Sequence, residues 1–172
     1  MRQFAEWLSQ TSLSVAIQSH EWVIPTVQSI HIIAIGLVLG SVFMIDLRIL
    51  GWAWRDQTLR QTTARFGPWL SWALCLLLMT GAVMIVGEPP RELLALSFWL
   101  KMGLVAIGTV VAVVFQRSLR RHEGQWEAAL VSQTRIRALA VVTFLIWVSV
   151  VVLGRLIAYD YVWGAWSKAL KG

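Results

Sequence analysis

Apolar residues in this chain gather into four long runs, at about positions 22–46, 66–87, 94–116 and 138–159, and most charged residues fall between them. Each run supplies about the 20 residues that carry a helix across a hydrocarbon core of about 30 Å. Within lipid the backbone must satisfy its own hydrogen bonds, so runs of this length become helices. The pattern predicts an all-α fold, an integral membrane up-down four-helix bundle, with residues 1–172 forming a single four-helix transmembrane domain.

Ahead of the first run, Phe4, Trp7, Leu8, Thr11 and Val15 recur near helical spacing, with Glu6, Gln10 and Gln18 between them. That spacing predicts an amphipathic N-terminal helix lying on the outer surface before the chain turns inward at Pro25. The second connection, Glu88-Pro89-Pro90-Arg91-Glu92, reads as a tight, rigid turn between antiparallel helices. The third connection holds a candidate interfacial helix around Trp126-Glu127-Ala128-Ala129-Leu130.

Composition agrees with this picture. The chain is 58% apolar and 14% charged, against about 25% charged in soluble domains. Of its 172 residues, only short connections and two tails remain outside the spans. The net charge of +6 does not point to nucleic acid, because the basic residues lack a dense tract and lie between spans. There they encode orientation. Arg48, Arg55, Arg60 and Arg65 in the first loop, with Arg117, Arg120, Arg121, Arg135 and Arg137 in the third, make nine. Arg2, Arg91, Lys168 and Lys171 make four on the other side. The positive-inside bias puts the two richer loops in the cytoplasm. The expectation is a multi-pass protein of the bacterial inner (cytoplasmic) membrane with both termini periplasmic. The opening residues lack the plan of a cleavable signal, so the first span is expected to act as the targeting element. Tryptophans fit the same frame, with Trp22, Trp99, Trp163 and Trp166 at outer ends and Trp52, Trp54, Trp69 and Trp72 at inner ends. Indole rings favour the headgroup level. Trp147 sits near mid-span.

Polar residues inside a span are the informative exceptions, since each is costly unless paired, hydrated or snorkelling. His31 lies about 4–5 Å outward of the centre of the first span at about 1.5 Å per residue. Its imidazole would bind a cofactor, relay protons, or hydrogen-bond a neighbouring carbonyl, Ser or Thr. Met79 in the second span and Met102 in the third fall at similar depth, and Cys75 is one turn inward of Met79. A His/Met/Met/Cys set is soft and suits Cu(I), while a His–Met pair suits haem iron. Methionine is also the usual filler of packing gaps. Lys101 and Arg155 both fall on the outward side. They would snorkel separately or converge on a polar pocket beside His31, holding an anion such as a haem propionate, a lipid phosphate or a partner's carboxylate. Asp46, at the inner end of the first span, is expected to pair with an arginine of a cytoplasmic loop. Gly36 and Gly40 form a GxxxG pair, which lets two helix backbones approach closely, inside the bundle or in a dimer. No Gly-rich phosphate loop, HExxH or CxxC is present.

Gln28-Ser29-Ile30-His31, Asp46-Leu47-Arg48-Ile49-Leu50-Gly51, Phe98-Trp99-Leu100-Lys101-Met102 and Gly154-Arg155 together resemble a family of small, uncharacterised four-helix bacterial inner-membrane proteins. More remotely, the layout is similar to CopD-type copper-resistance membrane proteins and to four-helix b-type cytochromes. The resemblance implies a histidine near the inner end of the third helix, where this chain has Gln116. Three function classes follow. The first is a non-catalytic membrane protein or accessory subunit whose partners are the lipid bilayer and another membrane or periplasmic protein. The second is a b-haem electron-transfer subunit using His31, Lys101 and Arg155. The third is copper handling through His31, Met79, Met102 and Cys75.

Overall fold

The computed structural model describes residues 2–122, 124–126 and 134–158, and these are helical apart from short connections. Among the described residues the helices run in this order: α1 (Arg2–Ser9), α2 (Ser12–Gln18), α3 (Val23–Leu50), α4 (Leu59–Gly87), α5 (Pro89–Leu93), α6 (Leu96–Arg121) and α7 (Thr134–Ala158). The helices α3, α4 and α6, and residues Ile136–Ile157 of α7, are long and apolar enough to cross a membrane. At about 1.5 Å per residue, the 28 residues of α3 extend about 42 Å, longer than the hydrocarbon core.

Each long helix runs past its apolar stretch. Continuing an existing helix adds one backbone bond per residue without a new nucleation cost. Local chemistry then sets the ends. Thr58 caps α4 through a reciprocal box, its hydroxyl accepting from Gln61 N–H while the Gln61 side chain accepts from Thr58 N–H. The helix therefore begins seven residues before the apolar run. At the end of α3, Gly51 takes a left-handed conformation (φ 74°), which glycine adopts without Cβ strain, and its N–H returns to Arg48 O. Pro25 sits in the first turn of α3, where no backbone donor is lost. Pro68 lies inside α4 and does remove one. The Pro-Pro turn forms a single helical turn, α5, with Pro89 and Pro90 at its first positions.

Packing is uneven. Most interhelical contact lies between α3 and α4 and between α6 and α7, with α3 against α7 joining the two pairs, while α4 and α6 meet only sparsely. One place where they do is Gly67, against which the Gln116 side chain rests. Three buried clusters stack along the bundle. Ala95, Phe98 and Ile157 lie at the end carrying α5. Val38, Val42, Leu70, Ala73 and Trp147 fill the middle. Ile45, Ile49, Leu59, Leu119 and Ala140 close the loop end. Ile33, Leu78, Ile107, Val110 and Val152 are exposed, as lipid-facing side chains are.

The N-terminal segment differs from the expected single helix. It breaks after Ser9, and the Thr11 hydroxyl caps α2 by accepting from Ser14 N–H. Its large apolar residues Phe4, Trp7 and Val15 remain exposed, while Ala5 and Ser14 are the buried ones. Small residues permit the approach. Ser14 Oγ donates to Val86 O at 2.7 Å, satisfying a carbonyl in the last turn of α4, where intrahelical donors run out. A Cβ at Gly87 would overlap Ile24 Cδ1 and stand 3.1 Å from Ile17 Cγ2. The N-terminal helices are thus pinned to the bundle. The expected interfacial helix after Trp126, and Trp163, Trp166, Lys168 and Lys171, lie outside the described residues.

Candidate functional site

At the α5 end, polar side chains from four elements lie near one another. His31 projects from α3 towards α4, where its Nδ1 is 2.6 Å from Thr80 Oγ1. Thr80 is buried, and its hydroxyl also lies 2.7 Å from Leu76 O, one turn earlier in its own helix. A hydroxyl has one proton. If Thr80 donates it to Leu76 O, His31 Nδ1 carries the imidazole proton and donates to Thr80, which leaves Nε2 with its lone pair. This assignment follows from the bond network. Gly81 leaves room for the ring, whose Cε1 would be 3.7 Å from a Cβ at that position.

Lys101 enters from α6. Its stem passes Gly154 of α7, where a Cβ would be 3.7 Å from Lys101 Cδ. Its Nζ lies 5.5 Å from the centroid of the Phe98 ring, within cation–π range. The fourth member is Glu92 of α5, buried at 4% exposure. Burial pushes its carboxyl above the ordinary value, Lys101 and then Arg91 pull it back, and Glu88 pushes it further up. Trp99 donates its indole N–H to Leu93 O at 3.1 Å, tying α5 to the start of α6.

A raised carboxyl makes stability depend on pH. The unfolded chain releases this proton at lower pH than the folded one, so the stabilisation is full below the ordinary value of 4.5 and is lost as pH rises through the raised value. The Glu92→Gln protein should therefore show a flatter thermal-stability profile than the parent on the rising-pH side. An unchanged slope, measured by melting in detergent across the series, would show that Glu92 does not set it.

The residues singled out from sequence separate here. His31 pairs with Thr80 and Lys101 lies over Phe98, while Arg155 is exposed on α7. Met79 is 65% exposed and Cys75 is also exposed, both on the outward side of α4. Met102 packs against the Ala95–Phe98–Ile157 cluster. No group of three or more His, Cys, Asp or Glu that could hold a metal occurs among the described residues. Sequence reading missed Thr80, Glu92 and Ser14. Thr80 was within reach: Ala73, Thr80 and Gly87 are buried at seven-residue steps along α4, and Met79 is one position off that stripe.

The glycine pair also resolves in part. A Cβ at Gly36 or Gly40 would meet nothing within 4 Å, so among the described residues no helix uses the close approach they allow. Asp46, at the other end of α3, is 6% exposed, and its Oδ2 has no hydrogen-bond partner among the described residues. Arg48 and Arg55, the arginines nearest to it in sequence, direct their Nε atoms to Gln57 O and Gly51 O.

The model of a family of unknown function, DUF6644, matches residues 4–160, and the chain belongs to that family. No curated protein and no solved structure matches it.

Proposed function

We propose that this DUF6644 protein is a non-catalytic integral protein of the bacterial inner membrane, an accessory subunit with both termini periplasmic and a polar pocket around His31. The observation that carries this reading is the His31–Thr80 hydrogen bond. The deep imidazole joins α3 to α4, and the Trp99 indole ties α6 to α5, so the polar groups serve the bundle's own architecture. The unused Gly36–Gly40 surface supports a partner helix, from a second copy or from another membrane protein. The distribution of arginines supports the orientation.

A second reading rests on His31 Nε2. Histidines that bind metals donate their other ring N–H to a neighbour, which fixes the tautomer, and Thr80 is such a neighbour. A b-haem subunit or a copper-handling protein would use that nitrogen, with Lys101 and Arg155 towards haem propionates. Met79 and Cys75 are exposed on α4, so a second ligand for that nitrogen would come to it from elsewhere.

One preparation separates the readings. The protein purified from cells supplied with iron and copper should be colourless and carry no stoichiometric metal, and a cytoplasm-only fluorescent reporter at its C-terminus should stay dark. A Soret band or one copper per chain, lost in His31→Ala, would replace the accessory reading with the cofactor one. A bright reporter would invert the orientation.

A further inference from the structure

A crevice of about 60 Å³ opens between α3, α6 and α7, with part of its wall from α4. It is a separate site: Asp46, in its wall, lies 15 residues along α3 from His31, about 22 Å at about 1.5 Å per residue. Val42, Leu70, Phe115, Leu139 and Trp147 give it an apolar lining. Trp126 stands at its loop end, its indole N–H donating to Ser118 Oγ and its ring edge-on to Phe115.

The polar groups in this wall are not equivalent. Thr143 already donates its hydroxyl to Leu139 O. The indole nitrogen of Trp147 is turned to Gly108, where a Cβ would stand 3.5 Å from it. That N–H, a donor, and Asp46 Oδ2, an acceptor, are both buried without a partner among the described residues, and of these three side chains Asp46 alone is acidic. A carboxyl in apolar surroundings is costly unless a proton or a donor group meets it. The space exceeds what one water needs, about 10–15 Å³ by the same kind of measure.

We propose that the crevice binds a small lipophilic primary amine, the ammonium head on Asp46 and the hydrocarbon against Val42, Leu70 and Phe115. Charge complementarity at a single acidic group, with apolar and aromatic walls elsewhere, selects an amphiphilic cation over an anion or a neutral lipid. The aromatic rings add cation–π attraction for the head.

Calorimetric titration of the detergent-solubilised full chain with n-butylammonium chloride tests this, with n-butanol as the neutral probe of similar size. Saturable one-site binding of the amine is expected, at least tenfold weaker for the alcohol. Asp46→Asn should weaken amine binding at least tenfold, and so should Ala140→Leu, which fills the crevice from α7. Equal binding of amine and alcohol would overturn the proposal, as would unchanged binding in Asp46→Asn or the absence of saturable heat. If Asp46→Asn does not fold, Ala140→Leu decides alone, its fold checked by its melting profile: retained amine affinity there rules the site out.

Discussion

Replacing Trp147 with alanine should lower the unfolding free energy by about 3 kcal/mol, at the low end of the range for large aromatic truncations in cores. The low end applies because lipid tails are as apolar as the core, so the transfer contribution shrinks and the lost packing contribution remains. Trp147 is 2% exposed in the middle cluster, with Val38, Val42, Leu70 and Ala73 around it. Its indole lies directly on Gly108 of α6, where a Cβ would be 3.1 Å from Cε2 and Cζ2. The ring therefore fills the space between α7 and a backbone that has no side chain there. Gly108→Leu should also destabilise, by about 1–3 kcal/mol, because a buried indole cannot retreat. The double variant should lose less than the sum, since leucine then occupies the vacated space, and such coupling marks residues in contact. Reversible unfolding in mixed micelles measures all three. Strict additivity would mean the two sites do not share a cavity.

Leu59→Ala should cost about 2–3 kcal/mol, the lower half of the range for Leu→Ala in cores. Leu59 is fully buried at the first position of α4, and it anchors the loop-end cluster with Ile45, Ile49, Leu119 and Ala140. This cluster is one of the places where α4 and α6 come together. The expected signature is local: proteolysis or hydrogen exchange should rise in the 52–58 loop and at the start of α4 before the α5 end is affected. Uniform loosening along the whole bundle would show that the three clusters do not act as separable layers.

The four spans were legible because a lipid core accepts only one kind of segment. About 20 apolar residues without charge leave no alternative to a helix, and each predicted run lies inside an observed helix except for a residue or two at its ends. Helix ends were less legible. The capping box at Thr58 and Gln61 and the left-handed Gly51 are local devices that operate outside the apolar run.

At the candidate site, depth along a helix was readable and direction around it was not. His31, Met79 and Met102 share a depth, yet Met79 turns outward while its neighbour Thr80 meets the imidazole. In a membrane helix apolar residues occupy both the lipid face and the core face, so hydropathy alone does not mark the inward side. Small and hydroxylated residues mark it better, as Gly67, Ala73, Thr80 and Gly87 do in α4. Glu92 was hidden for another reason. A glutamate beside two prolines reads as an exposed turn, yet it is buried on a helix that packs against α1, a long-range contact that no local pattern announces.

The unequal packing has a consequence for how the protein is made. The two richest helix pairings, α3 with α4 and α6 with α7, each join sequence neighbours, whereas α4 and α6 barely touch. A chain emerging from the ribosome can thus complete its first hairpin, with α2 already latched to the end of α4 through Ser14, before the second hairpin has been synthesised. Biogenesis then becomes the docking of two preformed hairpins, with α3 and α7 as the seam and α5 as the hinge between them.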